Sequence, residues 1–177
     1  MKTKLLMLMM IMALYSGCGS DNEKMMHKTF ETNIQTNTTL QKSEKIRLYE
    51  NDEVKVMLTA TYLNGERSLA AEETGQKIGE EFVVGVYEAD GTALGLASKE
   101  QNLTLEGKLP VKIKELSRND PLLEHIPIVS IWSSFYLVSF PHTSKSMFDL
   151  IFENYQYGKG RLGFAKKAKF LLTHPAY

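Results

Sequence analysis

Cys18 is the only cysteine of the 177-residue chain and sits between Gly17 and Gly19. One thiol closes no intramolecular disulfide and builds no cysteine-based zinc site. The other chemistry-bearing residues are sparsely placed. His27, His125, His142 and His174 lie far apart, without the paired spacing of metal ligands. Glu72-Glu73 and Glu80-Glu81 are adjacent pairs, which point to opposite faces on a strand, so they read as solvated charge and not as an acid/base dyad. No G-x-S-x-G, H-E-x-x-H, S-x-x-K or phosphate-binding glycine loop occurs, and Ser144-Lys145-Ser146 has the wrong spacing for a Ser–Lys motif. The expectation is a non-enzyme with no catalytic residues, metal or cofactor. An exported hydrolase that gathers its residues from distant loops stays open as an alternative.

The stretch whose residue types suit binding runs from Lys159 to Lys169. Lys159, Arg161, Lys167 and Lys169 share one parity, opposite Leu162, Phe164, Ala168 and Phe170, with Lys166 alone breaking the apolar set. On a strand the four cations line the outer face over about 30 Å, at roughly 3.3 Å per residue. Such a stripe suits an anionic envelope or host polymer, or an acidic protein. Lysines on a terminal strand also block edge-to-edge pairing. Both readings stay open.

The address of the chain is written before Cys18. Lys2 and Lys4 give a positive start, Leu5 to Leu14 is apolar without a break, and Ser16 and Gly17 are small. That is the layout of a secretory signal peptide; the run is too short to span a bilayer core of about 30 Å as a helix. It also lacks the polar face of a core helix. With the cysteine next in line, the pattern resembles a bacterial lipobox, with Tyr15 at the third position before the cysteine and Leu14 one step back. The resemblance implies a diacylglycerol on Cys18, which becomes the mature N-terminus. At about 0.8 kcal/mol per buried methylene, two or three acyl chains hold for practical purposes permanently. Gly19 follows in place of an Asp, which in lipoproteins of this kind implies sorting to the outer membrane, facing either the periplasm or the cell surface.

Three segments follow: a signal peptide over 1–17, an acylated cysteine and flexible tether over 18–44, and a folded domain over 45–177. The tether is rich in Asn, Thr, Ser, Gln and charge, with at most a short strand near Phe30 to Ile34. Roughly 160 mature residues suffice for one domain with its own core. Formal charge sums to zero but is uneven: Glu50 to Glu106 carries 12 acidic against 4 basic residues, and Lys108 to Tyr177 carries 10 basic against 5 acidic. Nucleic acid is not an expected partner in an exported compartment.

From Lys45 the texture is that of strands. Val54, Val56, Leu58, Ala60 and Tyr62 alternate with Lys55, Met57, Thr59 and Thr61, and Glu50 to Glu53 reads as the turn of a hairpin with Ile46 to Tyr49. Asp90-Gly91 predicts a second hairpin. Two short strands flank Gly107, with Pro110 marking an edge or a strand start. "NDPLLEH" predicts a helical turn capped by Asn119 or Asp120 and stopped before Pro127. "IPIVSIWSSFYLVSF" is apolar on both alternating sets, which predicts a central strand with Trp132 in the core. Phe148, Leu150 and Phe152 begin a closing pair of strands that turn at Gly158-Lys159-Gly160.

The expected fold is all-β, an immunoglobulin-like sandwich of seven to nine strands without the cysteine pair of antibody domains. The lipobox together with "DLIFENYQYGKGRLGFAKKAKF" is similar in texture to small lipoproteins of the Campylobacter and Helicobacter group, some with a variant immunoglobulin fold. That resemblance implies a cell-envelope role such as adhesion and identifies no site residues. The function expected is a lipid-anchored binding or adhesion module. A periplasm-facing structural accessory of an envelope complex is the alternative.

Overall fold

The computed structural model describes residues 39–64, 73, 75, 77–91, 95, 96, 98 and 100–167. Cys18, Lys169, His27, His174 and the short strand expected near Phe30 to Ile34 lie outside them. The described residues carry eight strands: β1 (Ser43–Glu50), β2 (Glu53–Tyr62), β3 (Glu80–Glu88), β4 (Gln101–Leu105), β5 (Lys112–Leu116), β6 (Ser134–Phe140), β7 (Met147–Asn154) and β8 (Gly158–Ala165). They pair antiparallel in two sheets, ordered β1-β2-β3-β6-β5 and β4-β7-β8. The protein is an all-β sandwich.

Period-2 alternation decides which side chains lie between the sheets. Val56, Leu58, Ala60 and Tyr62 of β2 meet Phe82, Val84 and Val86 of β3 and Tyr136, Val138 and Phe140 of β6. The smaller sheet answers with Leu103, Leu105, Phe148, Leu150, Phe152, Leu162 and Phe164. Five rings interlock at the centre. Phe82 packs on Phe140 edge-on at 5.8 Å and on Phe164 at 5.1 Å, and Tyr62 lies 5.2 Å from Phe148. Truncating such a ring to alanine typically costs about 3–5 kcal/mol.

The β1–β2 turn falls where Glu50 to Glu53 predicted it. Asn51 and Asp52 hold φ of 51° and 65°, the left-handed pair that a two-residue hairpin loop needs and that Asn and Asp tolerate best. Asp90-Gly91 also turns, with Gly91 at φ 69° and its N–H bonded to Glu88 O at 3.3 Å. Most of the strand expected directly after it, over 92–97, lies outside the described residues. The next described strand, β4, pairs with β7 and not with β3, so the chain crosses to the second sheet between β3 and β4. The strands flanking Gly107 likewise belong to different sheets. Pro110 precedes β5, which is an edge strand.

The doubly apolar stretch resolves into two parts. Over Ser134–Phe140 the expectation of a central strand holds, since β6 lies between β3 and β5. Its second apolar face, Phe135 and Leu137, packs with Val83, Leu116 and Leu123 in a smaller cluster outside the main sheet. A 3-10 helix at Pro121–His125 supplies Leu123, with Pro121 in its first turn and Asp120 as N-cap, whose Oδ1 accepts from Leu122 N at 3.0 Å. Gly85 leaves room for this layer, because a Cβ there would meet the Phe135 ring and Thr59 Oγ1 at 2.7 Å.

Ahead of Ser134 the chain is not a strand. Trp132 is 74 % exposed, and Val129 and Ile131 are exposed beside it. Its expected place in the core is therefore corrected. Ser130 terminates the apolar run by turning the backbone: its Oγ accepts from Trp132 N at 3.2 Å and its carbonyl from Ser133 N at 3.2 Å. A serine that bonds two following amides competes with the ladder and lifts Trp132 outward.

A candidate binding cleft at the loop end

Strand directions sort the connections between the two ends of the sandwich. One end collects the β1–β2 turn, the β3–β4 crossing, the β5–β6 connection and the β7–β8 turn. Gln101 Nε2 donates to Glu88 Oε1, which ties β4 of one sheet to β3 of the other there, and Tyr155 N to Glu100 O at 2.9 Å extends the β4–β7 pairing. The other end holds the start of β1, the β2–β3, β4–β5 and β6–β7 connections, and the end of β8.

The second end is closed by charge. Glu80 and Lys166 are both fully buried, with Lys166 Nζ 3.4 Å from Glu80 Oε1. The carboxylate also accepts from Tyr62 Oη at 2.5 Å and from Thr143 N at 3.2 Å, with His142 Nδ1 at 3.6 Å. Lys166 Nζ donates to Thr143 O at 2.5 Å and its amide to Ser146 O at 2.9 Å. Asn64 fixes the start of β3, donating to Gly79 O at 2.8 Å and accepting from Glu81 N at 2.9 Å. Glu80 is therefore not the solvated charge expected of it. The signal was parity: Glu80 precedes Phe82, Val84 and Val86 on the inward set, and Lys166 follows Leu162 and Phe164 on theirs. Opposite charges on facing inward sets, at the same end of the sandwich, are partners. No substrate reaches groups with zero exposure, so the network is structural.

The loop end is open. A cleft of about 190 Å³ lies there, lined among the described residues by Val86, Glu88, Trp132, Tyr136 and Arg118 together with Gly91, Gly95, Ser133 and Ser134. Each polar group has a local reason to be in position. Arg118 occupies the middle of a turn closed by Asp120 N to Ser117 O at 3.0 Å, directly after the buried anchor Leu116. Glu88 ends β3 and is steadied by Gln101. Tyr136 is largely buried at the cleft floor, and burial, followed by the nearby Glu115 carboxylate, pushes its phenol above the usual value, opposed by a hydrogen bond from Ser134. It stays a neutral O–H at physiological pH. The cleft offers one aromatic platform, one guanidinium, one carboxylate and three hydroxyls, and thus donors and acceptors together.

The basic stripe is only partly a stripe. Lys159 and Arg161 are exposed on β8, and Lys167 is exposed just past its end. Arg161 pairs with Asp149 Oδ2 at 3.3 Å, and Lys159 stands opposite Glu153 in the β7–β8 register. These acids on β7 offset the charge of the two strand cations. A second, shallower depression of about 360 Å³ lies over this face, bounded by Arg161, Asp149, Met147 and the Lys145–Glu106 pair. Sequence reasoning missed Arg118, Glu88 and Tyr136, which come from three strands' ends and carry no shared spacing. Comparison of the chain with protein-family models, curated proteins and solved structures finds no match.

Proposed function

We propose that this chain is a lipid-anchored protein of the cell envelope, sorted to the outer membrane through Cys18, and that its sandwich is a non-enzymatic binding or adhesion module. The signal-like run, the small residues and the cysteine at its end support the anchor. Support for an immunoglobulin-like fold comes from strand order: with β1 set aside as an added N-terminal strand, β2-β3-β6-β5 and β4-β7-β8 correspond to the A-B-E-D and C-F-G sheets of the constant type. The binding role rests on one observation above all. The exposed Trp132 and its cleft lie at the end opposite the start of β1, where an aromatic face stands beside several polar groups at the surface.

Metabolic labelling with a radioactive fatty acid tests the anchor. Label on the wild type and none on Cys18→Ser is the expected result, and label persisting on the mutant overturns it. Protease treatment of intact cells then separates an outward-facing module, which is cut, from a periplasm-facing accessory, which is not.

A further inference from the structure

We propose that the loop-end cleft binds a single neutral pyranose ring, the terminal unit of an uncharged glycan. This rests on the reading of the domain as a binding module and names the ligand class of its site.

The cleft selects for size, polarity and charge. At about 190 Å³ it falls below the roughly 300–1,000 Å³ of clefts that take drug-sized molecules, which leaves room for one ring. Trp132 offers an exposed flat face, and its backbone is pinned by the turn at Ser130. A pyranose has an apolar face of C–H groups to lay on such a platform and a rim of hydroxyls that each donate and accept. Arg118 has only donors and the Glu88 carboxylate only acceptors, and a vicinal diol satisfies both at once. The Tyr136 hydroxyl on the floor adds a third polar contact.

Charge argues against an acidic sugar. Arg118 is offset by Glu88 in the lining, and Glu115 acts on Tyr136 from beside it. An extra carboxylate on the ligand meets Glu88 in the lining, where like charges in a partly desolvated cleft repel. A purely apolar ligand strips water from Arg118 and from the Glu88 carboxylate without replacing its hydrogen bonds, a penalty that polar sites use to reject such ligands.

Trp132 is the only tryptophan of the chain, so intrinsic fluorescence reads this site directly. The probes are the methyl glycosides of glucose, galactose, mannose and N-acetylglucosamine, with methyl glucuronide and the methyl glycoside of sialic acid as charged counterparts. For one ring at ordinary ligand efficiency, a Kd of about 1 mM is expected. The expected result is a saturable blue shift with at least one neutral glycoside. Arg118→Ala or Glu88→Gln weakens it about tenfold, the loss of one charge-assisted hydrogen bond. Circular dichroism checks that both variants fold, and in calorimetry Trp132→Phe, which keeps a ring, retains more affinity than Trp132→Ala. A shift with the charged sugars alone overturns the inference and leaves the binding module standing. No shift with any glycoside overturns the inference too. Sugar binding by a chain that takes up no fatty acid sustains the inference and defeats the anchored reading.

Discussion

The two ends of this sandwich invert the usual placement of residues. At the end where β1 starts, a carboxylate and an ammonium are fully buried; at the loop end, a tryptophan and two aliphatic side chains face water. Both placements are costly in isolation and acceptable in context. Tyr62 and Thr143 supply the hydrogen bonds that the buried Glu80–Lys166 pair needs to offset its lost hydration, with His142 Nδ1 3.6 Å from the carboxylate. Trp132 has no such cover, and it stands with Val129 and Ile131 as three exposed apolar residues in one loop, the surface proposed above for binding. The difference separates the two ends: one uses its polar groups to close the fold, and the other holds the cleft proposed as the ligand site.

The sharpest way to break this contrast is to cut the buried pair. Lys166→Met takes the ammonium away from the fully buried Glu80, and the expected loss is about 3–5 kcal/mol in urea unfolding. Replacing both, as Glu80→Leu with Lys166→Met, recovers most of that loss, because packed apolar residues often substitute for a buried ion pair without net cost. A neutral single mutant means the closed end is not closed by charge. Tyr62→Phe is the milder cut. It removes one hydrogen bond to a buried carboxylate, with an expected loss of about 1.5–3 kcal/mol.

A second device at the closed end responds to pH. Glu106 accepts from the Lys145 ammonium and from Asp149 N at 2.8 Å, which hold its carboxyl below the ordinary range, the lysine first. A depressed folded-state value contributes stability that is present above the unfolded-state value and lost as pH falls through the folded one. The melting temperature of the wild type therefore declines as pH drops below about 4.3, the ordinary glutamate value, and Glu106→Gln declines less over that range. Equal declines in the two proteins remove Glu106 from the account.

How much of this contrast is legible in the sequence follows from the range of the interactions. Period-2 patterning is local, so the inward sets of β2, β7 and β8, the Asn51-Asp52 turn and the Asp120-Pro121 cap all read directly. Which sheet a strand joins is not local. The partner of β4 is β7, some fifty residues on, although β3 is the strand that precedes it in the chain. Glu80 and Lys166 lie farther apart still, and only their shared inward parity hints at the pair. The cleft is the least legible feature. Arg118, Glu88 and Trp132 converge from separate segments of the chain, and hydropathy alone sends a tryptophan to the core.

Trp132 gives the smallest expected effect on stability and the most direct test of the loop end. An exposed side chain away from caps, ion networks and cavities typically changes stability by no more than about 0.5 kcal/mol when truncated. Trp132→Ala is therefore expected to unfold in urea within that margin of the wild type, while Phe82→Ala, deep between the sheets, loses about 3–5 kcal/mol. The pairing matters because hydropathy places both rings inside. A loss of about 2 kcal/mol or more in Trp132→Ala, the scale of a buried aromatic or aliphatic side chain, puts the indole back in the core and removes the platform of the cleft. A stable Trp132→Ala that no longer binds is the opposite outcome. It leaves a ring whose burial contributes nothing to the fold and whose exposure serves the partner.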